Sequence, residues 1–173
     1  MLHDVGGRRA RWDVGDEIGD PMNDGGERIV VGVDGSPSSH QTLRWAARQA
    51  KLTGASLQVI ICWEYPTSYG WAPPYPTDFD PGGDAKRTLE VTVVEALGDD
   101  PGIDIDLTVV EGHPAPVLLE AARGASLLVV GSRGHGEFTG MLLGSVSEHC
   151  VGRAPCPVTV VRDVGDHDGG DPS

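Results

Sequence analysis

The sequence is short of cysteine, of basic residues and of long apolar runs, and each shortage closes off a class of proteins. Its three cysteines, Cys62, Cys150 and Cys156, are odd in number, and no two are spaced CxxC. That argues against a disulfide framework and against a zinc site. Cys62 sits inside an apolar run and reads as a small core residue, in keeping with a reducing cytoplasm. No stretch reaches the roughly 18 apolar residues that a membrane-spanning helix needs. The first residues lack the apolar centre of a signal peptide. The expected location is therefore the cytoplasm, away from membranes.

Lysine and arginine number 13 against 26 acids, a formal net charge of -13. Such a chain repels phosphate backbones at long range, so no nucleic-acid partner is expected. A single nucleotide is a different matter, because backbone N–H groups in a local pocket supply the positive field it needs. The 173 residues suffice for one domain with a real core.

Both ends look unlike the middle. Residues 1–26 are rich in Gly and Asp without sustained periodicity, and they read as a disordered acidic tail. Residues 163–173 carry four acids and no base and read the same way. Met22, just before the first apolar run, is an alternative start to Met1.

Between the tails, residues 27–162 alternate strand and helix. RIVVGV (28–33), SLQVIICW (56–63), IDIDLTV (103–109), SLLVV (126–130) and PVTVV (157–161) read as strands. The third alternates apolar and polar residues, as an edge strand with one wet face would. Helices are expected over about 38–52, 84–97, 114–123 and 144–152, with Ser36 as N-cap and Pro37 at the first position of the first. This order argues one doubly wound parallel sheet of five strands with helices on both faces, a three-layer α/β/α, Rossmann-like domain. Strand order is not readable from the pattern.

The chemistry concentrates in Gly131-Ser132-Arg133-Gly134, nine further residues, then Gly144-Ser145. The stretch starts directly after an apolar strand and ends at a helix start. A strand-loop-helix unit points free backbone N–H groups and the helix dipole into its loop. Glycine permits close approach to an anion. Asp34, at the end of the first strand, is a carboxylate suited to a ribose hydroxyl or a base. The alternative is a surface loop with glycines for turns, but the defined length and the serine at the helix start favour anion binding.

The pattern G-x2-G-x9-G-[ST] resembles the ATP-binding signature of the universal stress protein family, and it runs without gaps from Gly131 through Ser145. IVVGVDGS, LLVVGSRG and LLGSVSEHCVGRAPCPVTVVR are similar to the family in the same order, so that the likeness covers about 27–162. The resemblance implies a strand order of 3-2-1-4-5, with Asp34 and the Gly131 loop in one cleft. It implies that Asp34 meets ribose or adenine and that Cys62, often Val in the family, touches the base. Gly32 and Val130 would line the adenine pocket. Gly131, Arg133, Gly134, Gly144, Ser145 and Val146 would surround ribose and phosphates, with Ser147 adding a hydroxyl. The implied ligand is ATP, with Mg2+ as an accompanying ion. The implied assembly is a homodimer through Pro157–Val161, an apolar edge of the kind that pairs with another chain. The implied role is a regulatory or sensor protein of the stress response.

No residues are singled out as catalytic or as protein ligands to a metal. The loop has no Walker lysine, so a slow ATPase or phosphotransferase stands as the alternative, beside a nucleotide-free dimerisation module. A receiver domain fails for want of an acidic pair at Asp34 and of a lysine at Arg162. A flavodoxin-like protein fails because 34–39 has one glycine. His135 lies inside the loop, where it could meet phosphate. His113 reads as a turn or cap residue and His149 as surface. Trp63, Tyr65, Tyr69, Trp71 and Tyr75 make either a lid or a cover for the sheet end. Asp99, Asp100, Asp104 and Asp106 read as a solvated face.

Overall fold

The computed structural model describes residues 10–15 (as backbone), 26–65, 78–134 and 143–162. His135, Tyr69, Trp71, Tyr75 and the segment 163–173 lie outside the described residues. Among the described residues, six strands and four helices follow in chain order: β1 (Ala10–Gly15), β2 (Arg28–Val33), α1 (Pro37–Thr53), β3 (Ser56–Trp63), α2 (Pro81–Leu97), β4 (Ile105–Glu111), α3 (Pro114–Ala121), β5 (Leu127–Gly131), α4 (Ser145–Arg153) and β6 (Val158–Val161).

All strand pairs are parallel, in the order β1-β4-β3-β2-β5-β6. The five strands from β2 onward thus take the expected 3-2-1-4-5 arrangement. The sequences of β2, β3 and β5 read as largely apolar runs because both faces are covered. Ile29, Val31 and Val33 of β2 join Leu57, Val59 and Ile61 of β3 under α1 and α2. Val30, Ile60, Leu128 and Val130 face the other way, with Leu118 of α3 and Cys150 of α4. Burying side chains of this size contributes roughly 1.5–3 kcal/mol each.

Two expectations change at one sheet edge. Ala10–Gly15 is not featureless tail but a strand, paired with β4 in the register Ala10↔Ile105 to Gly15↔Val110. Consequently β4 is not the edge strand, and its Thr108 is buried as fully as its neighbours Leu107 and Val109. The physical reason is that an added edge strand is held by main-chain hydrogen bonds. Those need no apolar period in the sequence, so ARWDVG gave no signal.

Element ends shift modestly. α2 begins at Pro81 rather than near 84, because Asp80 caps it: Gly83 N donates to Asp80 Oδ1 at 2.9 Å. The N-cap position of α1 is Ser36, as expected, yet its side chain makes no cap bond and turns instead to Asp34.

At the N-terminal end of the sheet, opposite the glycine loop, a polar cluster ties four elements. Arg28 donates to Gln58 Oε1 at 2.6 Å and to the carbonyls of Ala121 and Arg123, both at 2.9 Å. Gln58 Nε2 donates to Thr108 Oγ1 at 3.2 Å. Burial lowers the pKa of Arg28 from its ordinary value, with Cys156 and Asp106 opposing that. Asp106 therefore belongs in part to this buried cluster and not wholly to a solvated face.

Candidate functional site

The chain turns left from β2 to β3 and β4, and right from β5 to β6, so its connections diverge between β2 and β5. In an open α/β sheet that point leaves a crevice beyond the carboxyl ends of the strands. Here it holds a cleft of about 550 Å³. β2 and β5 are direct neighbours, paired from Ile29↔Leu127 to Val31↔Val129. That pairing brings the residues after each strand, Asp34 and the Gly131 loop, to opposite lips of the cleft.

Asp34 is held from below. Its Oδ1 accepts from Ser36 N at 3.0 Å, Ser36 Oγ at 2.5 Å and Ser39 Oγ at 2.6 Å. Ser39 Oγ in turn accepts from Asp34 N at 3.0 Å. Gly35, at φ +78, makes the turn that closes this knot, a backbone shape that side-chain-bearing residues rarely adopt. The other oxygen is turned to the loop: a Cβ built on Gly134 would stand 2.5 Å from Asp34 Oδ2.

The two described ends of the loop are anchored through one residue. Ser132 is buried; its N–H donates to Val161 O at 2.7 Å, and its carbonyl accepts from Gly144 N at 2.7 Å. Ser38 Oγ, on α1, donates to Arg133 O at 3.1 Å. Gly144 then starts α4 in extended conformation. The opening amides of that helix, at Ser145, Val146 and Ser147, have no partner within the helix and carry its positive end.

The apolar part of the cleft lies between the sheet and α3. Gly32, Ile60, Cys62 and Val130 line it from the sheet, and Pro114 and Leu118 from α3. A Cβ on Gly32 would press Leu118 Cδ1 to 2.7 Å, so glycine there keeps this compartment open. Burial, with a smaller push from the charge of Glu64, raises the Cys62 thiol to about 12. The thiol is thus protonated at neutral pH and acts as a compact apolar wall.

All eleven residues singled out in the sequence line this one cleft: Gly32, Asp34, Cys62, Val130, Gly131, Arg133, Gly134, Gly144, Ser145, Val146 and Ser147. One of them does something other than expected. Ser147 is buried, and its hydroxyl bonds the main-chain carbonyls of Gly144 (2.9 Å) and Ser132 (3.2 Å). It fastens the loop to α4 instead of facing the cleft with a free hydroxyl. Sequence reasoning missed Ser38, Thr42, Leu118 and Glu148, which also line the cleft. Glu148 lies four residues past Gly144 and was within reach of a helical-spacing argument. The inward turn of Leu118 follows from helix packing and had no sequence signal. Of the three histidines considered, His113 stands at the N-cap position of α3 without a side-chain cap bond, and His149 is exposed, with Nδ1 3.1 Å from Ser145 O.

Among the described residues, no three His, Cys, Asp or Glu side chains gather as a metal site. Nor is any described helix long and apolar enough to cross a membrane.

Fold and cleft together define a doubly wound α/β protein with a glycine-bounded loop at its switch point. More particularly, the chain belongs to the universal stress protein family, whose model matches residues 26–162. It is 36% identical over 135 residues to a universal stress protein of Mycolicibacterium smegmatis, covering 78% of this chain and 45% of that one. It is 34% identical over 140 residues to one of Mycobacterium tuberculosis, covering 78% and 47%. The chain thus spans about half the length of the curated relatives it matches. Among solved structures, a universal stress protein in complex with cAMP matches with a TM-score of 0.60 at 28% identity, over 79% of this chain and 97% of that one. An Archaeoglobus fulgidus universal stress protein in complex with dAMP shares the fold, with a TM-score of 0.53 at 24% identity over 78% and 97%.

Proposed function

We propose that this chain binds an adenine nucleotide, ATP in the first instance, and works as a dimeric regulatory protein of the stress response in the cytoplasm. The observation that carries the reading is the division of one cleft into an apolar compartment, a fixed carboxylate and an amide-rich loop. Gly32, Cys62, Val130 and Leu118 offer a flat apolar slot of the kind a purine fills. Asp34 Oδ2 is turned to where a ribose hydroxyl would donate. The amides of Arg133, Gly134, Ser145 and Val146 are the groups that would receive phosphate oxygens, with the Arg133 guanidinium adding charge. A side chain at Gly131 or Gly134 would meet main chain or carboxylate closely, so the loop is built for backbone approach. Mg2+ would accompany a triphosphate, bound chiefly by the phosphates themselves.

A second reading, a nucleotide with a single phosphate, is favoured by two acids in the lining. Asp34 and Glu148 face one cleft that also holds Arg133. The solved relative in complex with cAMP supports that reading equally.

Nucleotide content separates these readings. The protein is purified without added ligand, extracted with acid, and its small molecules identified by chromatography and mass spectrometry. Gly144→Glu is the control. Gly144 has ordinary extended backbone, and a Cβ there makes only contacts of 3.5 Å or more. The variant should therefore fold while its carboxylate repels phosphate. ATP or ADP in the wild type and none in the variant is the expected result. A cyclic or single-phosphate nucleotide establishes the second reading. A wild type that is empty and fails to take up millimolar ATP, AMP or cAMP overturns both.

A further inference from the structure

The serines beneath Asp34 make more contacts than they have protons. Ser36 Oγ reaches Asp34 Oδ1 at 2.5 Å, Ser38 Oγ at 2.9 Å and Ser39 Oγ at 3.3 Å. Ser39 Oγ reaches Asp34 Oδ1 at 2.6 Å, and Ser38 Oγ reaches Arg133 O at 3.1 Å. Three hydroxyls supply three protons for these five contacts. Their rotations are therefore linked. When Ser36 donates to Asp34, the Ser38 hydroxyl has two acceptors before it, Ser36 Oγ and the loop carbonyl of Arg133. When Ser36 donates to Ser38, the proton of Ser38 has only Arg133 O to go to.

We infer that Ser38 is a positioning residue for the loop after β5, and that Asp34 sets its grip through Ser36. This rests on the nucleotide reading above. A sugar hydroxyl that donates to Asp34 Oδ2 draws negative charge from the carboxylate and makes Oδ1 a weaker acceptor for Ser36. Ser36 then turns its proton to Ser38, and Ser38 commits its own to the Arg133 carbonyl. The peptide that carries this carbonyl also carries the Gly134 N–H, so holding one orients the other. Occupancy of the sugar end thereby firms the anion end through Ser38, itself part of the cleft lining. The side chain lies on the second residue of α1, which its neighbours hold independently of the loop. Loss of its hydroxyl is thus a local change.

Hydrogen exchange at the amides of Ser132–Gly134, with and without adenosine, tests the inference alongside calorimetric binding of ATP and adenosine. Adenosine, having the sugar without phosphate, should slow exchange in the wild type. In Ser38→Ala these amides should exchange faster without ligand, and adenosine should no longer slow them. ATP should bind this variant roughly 3- to 10-fold more weakly, the effect of one lost hydrogen bond, and adenosine should lose less than ATP, since only its coupling to the loop is removed. Ser38→Thr, which keeps the hydroxyl, should restore the wild-type pattern. Equal exchange in Ser38→Ala and wild type overturns the inference, as does equal loss of ATP and adenosine binding. A wild type that binds neither ligand overturns the nucleotide reading; the exchange comparison without ligand then still decides whether Ser38 holds the loop.

Discussion

Asp34 and Gly134 lean on one another across the cleft, with Asp34 Oδ2 standing 2.5 Å from the point where a Cβ on Gly134 would be. Each explains the other. The carboxylate is already fixed through Oδ1 by Ser36 and Ser39, so it has little room to retreat. The loop can come this close only as bare backbone.

Gly134→Ala should accordingly displace either the carboxylate or the loop. Overpacking of this kind costs about 1–3 kcal/mol. At the lip of an open cleft the lower end is expected for stability, whereas nucleotide affinity should fall by at least roughly tenfold, because the two groups proposed to meet the ligand no longer keep their spacing. Thermal unfolding and calorimetric titration on the same sample check both. Unchanged affinity would show that this spacing is not used.

Cys62 gives the protein an alkaline weakness. Its thiol is raised from 9.0 to about 12 in the folded chain, by burial first and Glu64 second. Between those values the folded state holds a proton that the unfolded state has released. Stability from this group is therefore complete below about pH 9 and declines as pH rises toward 12, by at most about 1.4 kcal/mol per pH unit. Cys62→Val should flatten the fall in urea-derived stability between pH 8 and 10.5, Cys150 leaving a residual slope through its own rise to about 11. Parallel curves for variant and wild type would contradict the assignment.

Starting the chain at Met22 removes β1 and bares the outer side of β4. The core should survive, since β4 still pairs with β3 along its whole length and packs beneath α2. An uncovered edge offers unpaired N–H and C=O groups to other chains. The shortened protein is expected to unfold cooperatively at a lower temperature and to self-associate more in light scattering. Identical behaviour of the two lengths would mean that β1 protects nothing.

At the opposite edge, all four residues of β6 are only half buried within a single chain. A partner strand there would complete their burial, in line with the proposed homodimer through Pro157–Val161. Thr159 is the polar residue of this strand and is itself only half buried. Thr159→Lys should therefore turn a dimer into a monomer in size-exclusion chromatography with light scattering, with little loss of thermal stability in the monomer itself. A dimer that persists would put the contact elsewhere.

Much of this was legible in the residues. RIVVGV, SLQVIICW and SLLVV are mostly apolar, Arg28 and Gln58 apart, because they lie under helices on both sides, and composition alone carries that information. The glycine spacing from 131 to 144 was legible for a similar reason: backbone that comes as close to main chain or a carboxylate as Gly131 and Gly134 do tolerates few other residues. The start of α2 was placed near 84 instead of 81, because Gly82 and Gly83, poor helix formers, obscured the cap at Asp80 and Pro81.

What the residues by themselves determined, then, is the sequence of buried strands and helices, and the identity of the groups that gather at the strand ends. Tertiary structure alone decided the rest. It made β1 a strand, because main-chain pairing needs a neighbour and no pattern. It turned Ser147 inward onto Ser132 and Gly144, and brought Leu118 against Gly32, because a side chain's direction follows from which face of its helix is packed. It set Ser38 against Arg133, 95 residues away along the chain, because only the pairing of β2 with β5 makes them neighbours. Local chemistry is written residue by residue, whereas contacts between distant residues exist only once the sheet has closed.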